Sequence, residues 1–164
     1  MREVEQISSG VHELSHQLHP SVVQYSGLRV ALGMLCRKTF ERHHVRVDLD
    51  ADTDIANLSD EVSLCFFRVA QEALNNSVKH SGAKKVTIQL RNDKDLLRMQ
   101  IRDAGTGFDP AAAIRGLGML SMRERLRLIG GELSVKSRLG GGTEVIAELP
   151  IAESAPTSRL PSAS

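Results

Sequence analysis

FRVAQEALNNSVKHS, residues 67–81, carries an apolar and a polar pattern at the same helical spacing. Val69, Ala73, Leu74 and Val78 recur at helical spacing and make one apolar stripe. Glu72, Asn76 and His80 fall four residues apart on an adjoining face, where a merely structural helix has no need of them. Glu72 offers a carboxylate, Asn76 a neutral oxygen of the kind Mg²⁺ accepts, and Lys79 a mobile cation beside them. That combination suits a hydrated metal and phosphates. The competing reading is an ordinary solvated helix face, since charged and amide residues are common there.

Upstream of this helix, Val45, Val47 and Leu49 alternate with Arg46 and Asp48, the pattern of a half-buried strand. Residues 50–54 form a polar turn, and Ser59 stands at the helix entry without a full capping box. The helix is expected from about Asp60 to His80, with Ser81 and Gly82 closing it. Downstream, alternation predicts strands over residues 85–91 and 96–103, joined by a hairpin turn at Asn92, Asp93, Lys94 and Asp95.

DAGTG, residues 103–107, follows the second of these strands. A carboxylate fixed at a strand end can accept from an exocyclic amine such as that of adenine, and Gly105 and Gly107 would let backbone approach a ligand closely. The competing reading is a plain Asp/Gly turn. RGLG, residues 115–118, precedes a helical pattern of Met119, Met122, Leu126 and Ile129 that ends at Gly130 and Gly131. Glycines ahead of a helix expose backbone N–H groups that favour anions, which makes Gly116 and Gly118 a candidate phosphate clamp. Neither GxxxxGK[ST] nor a strand-linked GxGxxG is present, which removes the P-loop and dinucleotide-fold readings. Strands are expected again over residues 132–137 and 143–150, parted by Leu139 and three glycines.

Toward the N-terminus, Val4, Ile7, Val11, Leu14 and Leu18 form a narrow helix seam that wants a partner helix. Pro20 breaks or kinks it and Ser21 can cap a second helix, from near Val22 to about Glu41 through Leu28, Ala31, Leu32, Leu35 and Phe40. Gly27 and Gly33 interrupt its regularity. His16 and His19 read as packing or surface histidines. Residues 152–164, rich in Ser, Pro and Ala, are expected to be a disordered tail.

Composition bounds the function. A chain of 164 residues, 41% hydrophobic and 25% charged, has the balance of one globular domain with something short attached. A net charge of +1 and 3% aromatic residues give no case for nucleic acid or a membrane surface. Cys36 and Cys65 lack metal-ligand spacing and read as reduced, buried thiols, which fits a cytoplasmic compartment. No apolar run reaches transmembrane length and no signal-peptide core opens the chain, so direct membrane contact is not expected.

Taken together, QEALNNSVKH, DAGTGF, RGLGM and GGGTEV stand in the order of the nucleotide boxes of the GHKL ATPase superfamily, which includes gyrase, the mismatch-repair MutL proteins and sensor histidine kinases. QEALNN followed by KHS, the short stretch between DAGTGFD and RGLGM, and MRERLRLIGG resemble in particular the short-lid sensor histidine kinases related to nitrate/nitrite sensors. The resemblance covers about residues 58–150. It implies an α+β fold, a two-layer α/β sandwich of Bergerat type with an N-terminal helical segment. A mixed, largely antiparallel sheet would be covered on one face by helices, with ATP between the helices and the lid.

Carried over residue by residue, the resemblance places Asn76 on Mg²⁺ and Glu72 where the attacking group is activated near the γ-phosphate. Lys79 matches the position approaching the phosphates, and His80 the one beside ribose or base. Asp103 matches the carboxylate that accepts from the adenine amine, with Gly105 and Gly107 shaping its pocket. Gly116 and Gly118 match lid glycines near the phosphates, and Thr143 the hydroxyl that helps to bind adenine.

LSHQLHPSVVQYSGLRVAL is similar to the end of the second helix of these kinases' dimerisation hairpin and the linker helix after it. The resemblance therefore divides the chain into a hairpin remnant and linker (residues 1–42), an ATP-binding catalytic domain (43–151) and the tail (152–164). The family's phosphoacceptor histidine lies on the preceding first helix; His12 is followed by an acid, Glu13, but its surroundings match the second helix. The expectation is a C-terminal fragment of a sensor kinase that homodimerises through the hairpin, passes phosphate to a response regulator, and as this fragment lacks autophosphorylation. Two alternatives stay open: an anti-sigma-factor-type serine kinase, which needs no dimerisation helix, and a non-catalytic ATP-binding module.

Overall fold

A computed structural model describes residues 20–52, 58–93, 95–109 and 117–151. The N-terminal seam, His12, His16, His19, Gly116 and the tail lie outside the described residues. In chain order the elements are α1 (Pro20–His43), β1 (Arg46–Ala51), α2 (Asp60–Asn76) running into a π-helical turn (Ser77–Ser81), β2 (Lys85–Asp93), β3 (Leu96–Asp103), α3 (Leu117–Leu128), β4 (Glu132–Ser137) and β5 (Thr143–Pro150). The five strands make one sheet in the order β1-β2-β3-β5-β4. β1 runs parallel to β2 and every other pairing is antiparallel.

Period-two patterning sends one side of each strand to the helices. Val86, Ile88 and Leu90 of β2, Leu97, Met99 and Ile101 of β3, and Val145, Ala147 and Leu149 of β5 are buried in one cluster with Phe66, Phe67, Val69, Ala70, Ala73 and Leu74 of α2. Phe66 and Phe67 are fully buried, each contributing about 1.5–3 kcal/mol by removal from water. Val23, Leu28, Ala31, Leu32, Leu35 and Cys36 of α1 join the same cluster, so this helix shares its core with the sheet. Burial pushes the thiols of Cys36 and Cys65 up to about 11, leaving both protonated at neutral pH.

The opposite face of the sheet is polar. Arg98 lies across from Glu148 (3.4 Å) and Arg102 across from Glu144 (2.6 Å), flanking Ile146, which is paired with Gln100 and almost wholly buried. Asp48 takes Arg46 and Lys85 at 2.8 Å each, and these partners hold its carboxyl below the usual range.

Local differences from the sequence reading have local causes. α1 is described from Pro20 on, and inside it the helical geometry is broken at Gly27 (φ 77°, ψ 165°), where the sequence showed only a weak helix former. β2 runs on to Asp93 opposite Leu96, which shortens the hairpin loop to two residues, while Asn92 N–H is taken by Asp52 Oδ2 at 3.0 Å. α3 ends with Gly130 at φ 81°, Gly131 N–H on Leu126 O and Gly130 N–H on Arg127 O, a Schellman closure. Ser59 caps α2 by accepting from Val62 N–H at 3.3 Å. Replacing Ser59 with alanine is expected to lower stability by about 1 kcal/mol, read as a shift of the urea midpoint at unchanged slope.

Candidate functional site

Three strands end in polar residues on the face that is apolar along the rest of their length. Leu97, Met99 and Ile101 lead to Asp103; Leu149, Ala147 and Val145 lead to Thr143; Leu133 and Val135 lead to Ser137. The register sets Asp103 opposite Thr143, and Thr143 opposite Ser137, so the three polar ends form one row across the sheet. On α2 the buried stripe of Phe66, Phe67, Ala70, Ala73 and Leu74 continues into Ser77. The polar end of the helix stripe therefore meets the polar end of the strands.

There the backbone departs from the expected regular helix. α-Helical geometry stops at Asn76, and residues 77–81 form the wider π turn, closed by Gly82 in the left-handed conformation (φ 65°). The loop after β3 holds that turn from outside: Thr106 N–H donates to Ser81 O (2.8 Å) and Thr106 Oγ1 to His80 O (3.2 Å). From inside, Ser81 Oγ donates to Ser77 O (2.8 Å) and accepts from Ala83 N–H (3.0 Å). These bonds satisfy carbonyls that the helix end would leave open.

Between the π turn, the strand ends and the start of α3 lies a cavity of about 460 Å³, within the usual size of a small-molecule site. Ala73, Ile101, Met119 and Val145 give it apolar walls, and Asn76, Ser77, His80, Asp103 and Thr143 its polar groups. Asp103 is held at both oxygens, Oδ1 accepting from Gly105 N–H and Oδ2 from Ser77 Oγ, each at 2.9 Å. Ser137 Oγ takes Phe108 N–H (2.9 Å), lies 2.9 Å from Gly142 O and 3.1 Å from Thr143 Oγ1, so it fixes the Thr143 hydroxyl and the Phe108 loop together. A flat ring with an exocyclic amine fits this arrangement, apolar on its faces and met by an acceptor at its edge.

Of the residues singled out from sequence, Asn76, His80, Asp103, Gly107, Gly118 and Thr143 line this cavity together. Glu72 and Lys79 stand outside the lining; the Glu72 carboxylate lies against Gly118, where any side chain would collide with it. Lys79 is exposed on the same turn as His80. Gly105 does not line the cavity: a side chain there would strike Ser81, so its smallness lets the loop reach the π turn. Gly107 (φ 60°) does line it and passes beside the carbonyls of Arg138 and Gly142. Gly118 lies inside the first turn of α3 and not ahead of it. Ser77, Phe108 and Ser137 escaped the sequence reading, and Ser81 entered it only as a helix end; Ser77 is legible only as a hydroxyl terminating an apolar helix stripe, since its partner Asp103 lies 26 residues away.

A divalent cation has suitable donors here. Asn76, whose amide carries a neutral oxygen, lines the cavity, and the Glu72 carboxylate sits one helical turn away against Gly118. Among the described residues no three His, Cys, Asp or Glu stand together, so a metal bound here would complete its shell with water and ligand oxygens, the habit of Mg²⁺.

Residues 59–153 match the family model of the histidine kinase-, DNA gyrase B-, and HSP90-like ATPases. The chain is 35% identical over 165 aligned positions to the sensor histidine kinase MctS of Rhizobium johnstonii, an alignment covering 96% of this chain and 36% of that protein. It is 35% identical over 152 positions to the signal transduction histidine-protein kinase/phosphatase UhpB of Salmonella typhimurium, covering 90% and 30%. The chain thus spans about a third of the length of these curated relatives. Among solved structures it is similar to the histidine kinase domain of the Erythrobacter litoralis EL346 blue-light activated histidine kinase, with TM-score 0.65 and 23% identity, over 75% of this chain and 60% of that one. It is also similar to the Acinetobacter baumannii histidine kinase AdeS, with TM-score 0.66 and 14% identity, over 91% and 80%. Among the described residues no helix is long and apolar enough to cross a membrane.

Proposed function

This chain belongs to the histidine kinase-, DNA gyrase B-, and HSP90-like ATPase family, and from that premise we propose that its cavity binds ATP with Mg²⁺ on behalf of a two-component sensor histidine kinase. The observation that carries the reading is Asp103, an acceptor gripped at both oxygens in the floor of a cavity with apolar walls. The adenine amine would donate to Asp103, with Thr143 beside it and Ile101, Met119 and Val145 against the ring. Asn76 would hold Mg²⁺, with Glu72 toward the γ-phosphate, Lys79 toward the phosphate chain, His80 at the ribose, and Gly116 and Gly118 under the phosphates. Bound Mg²⁺ offsets the charge that develops on the transferred phosphoryl group.

In the parent protein the γ-phosphate would pass to a histidine on a helix preceding the Val4 to Leu18 seam, and from there to a response regulator. Residues 1–42 would serve as the end of a homodimerising hairpin and its linker, and residues 43–151 as the catalytic domain. The similarity to two sensor kinases along nearly the whole chain, the segment before residue 43 included, favours this over a serine kinase.

Two measurements test the reading. Replacing Asn76 with alanine is expected to remove most of the Mg²⁺-dependent gain in ATP affinity while leaving metal-free binding within about twofold, because Mg²⁺ takes only one or two protein ligands. An unchanged Mg²⁺ benefit, read by titration with and without the metal, refutes the metal assignment. Incubation with radiolabelled ATP and the parent's own upstream helix is expected to give acid-labile label on histidine. Acid-stable label indicates serine transfer, and absence of transfer alongside firm ATP binding indicates a non-catalytic module.

A further inference from the structure

We propose that Ser77 is a positioning residue that aims the base-reading carboxylate of Asp103 and thereby sets the preference for a 6-amino purine; this rests on the ATP reading above. Ser77 lies on the buried stripe of α2, lines the cavity and is 7% exposed. An alanine would continue that stripe as Ala70 and Ala73 do, so packing does not call for a hydroxyl here. What the hydroxyl does is donate to Asp103 Oδ2 at 2.9 Å.

An ionised carboxylate only accepts, so the single Ser77 proton is committed to it. The terminal torsion of an aspartate is broad, and one bond leaves the plane of the carboxylate free to swing. Here two donors from separate parts of the chain, Ser77 on the π turn and Gly105 N–H on the loop after β3, take one oxygen each. The plane is fixed, and each oxygen keeps a lone pair for a ligand. A 6-amino purine brings an N–H donor to the carboxylate so aimed, whereas a 6-oxo purine brings a carbonyl that an acceptor cannot meet. The α-to-π transition at Ser77 belongs to the same device, because the turn carrying this hydroxyl is the one braced by Thr106.

The test compares ATP with inosine triphosphate, which differs at the 6-position, by calorimetric titration of the full chain in Mg²⁺. Ser77→Ala is expected to weaken ATP about tenfold and to leave inosine triphosphate within about twofold, since a hydrogen bond to a charged group is lost only where the amine is read. Ser77→Thr, which restores the hydroxyl, is expected to recover most of the loss, and Ser77→Ala added to Asp103→Ala to change nothing further. Equal weakening of both nucleotides, or none, in Ser77→Ala overturns the proposal. If Asp103→Ala erases the preference and Ser77→Ala leaves it whole, the role of Ser77 alone falls. If Asp103→Ala keeps the full preference, the adenine reading itself is wrong and the proposal goes with it. Should the threonine variant not fold, the alanine variant and the double mutant decide.

Discussion

Asp103→Ala is expected to weaken ATP about 10- to 100-fold while GTP binding stays unchanged or improves slightly, which removes most of the discrimination between them. A hydrogen bond to a charged group contributes about 1.5–3 kcal/mol, and here it is made in a cavity that shields it from water. Guanine presents a carbonyl where adenine presents its amine, so GTP has no bond to Asp103 to lose and gains relief from an acceptor facing an acceptor. The fold should tolerate the change. Ser77 Oγ can return to a carbonyl of its own helix, as Ser81 Oγ already does to Ser77 O, and the Gly105 N–H is on a partly exposed loop. Titration of both nucleotides, with a melting curve as control for folding, checks this; discrimination equal to that of the parent rules out Asp103 as the reader.

Gly107→Ala is expected to destabilise the chain by about 3 kcal/mol or more, a loss of most of the stability of a marginal domain. Two costs act together. The backbone there is left-handed (φ 60°), which a side chain tolerates at about 1–2 kcal/mol, and the new Cβ would meet the carbonyls of Arg138 and Gly142. Those carbonyls cannot step aside freely, because Gly142 O is held by Ser137 Oγ and Arg138 O by Gly141 N–H. Gly130→Ala makes the control, since it shares the left-handed backbone (φ 81°) but faces open space, and should show only the conformational part. A Gly107→Ala midpoint in urea equal to that of Gly130→Ala would show that the close approach is absent in solution.

Much of this arrangement was readable from sequence because it rests on periodicity. The bounds of β4 and β5 were legible to the residue, as was the helix stop at Gly82, since alternation and a left-handed glycine are properties of single short windows. Asp103 could be singled out because it closes a strand pattern, and Thr143 through the resemblance of GGGTEV to a nucleotide box. What stayed hidden depends on contacts between distant segments. The π turn is braced by Thr106 bonding Ser81, and nothing in NNSVKHS announces it. Ser137 looks like any strand-end serine until β4 pairs with β5 and sets it beside Thr143. Gly105 was read as shaping a pocket; its N–H does hold Asp103, and its smallness also lets the loop meet the π turn, which no single window shows. Gly27, weighed only as a weak helix former, has the one non-helical conformation within α1.

The parallel pairing of β1 with β2 has a kinetic consequence. β2 and β3 need only a two-residue turn to meet, and β3 then recruits β5 and β4 by antiparallel pairing. β1 reaches β2 only after the whole of α2 has been laid across the sheet, and loop closure becomes more costly as the intervening chain lengthens. In refolding, the segment of α1 and β1 is therefore expected to gain amide protection after β2, β3, β4 and β5, and in native exchange to lose it before them. A domain assembled in that order would have the floor of its cavity complete while α1 is still free to dock.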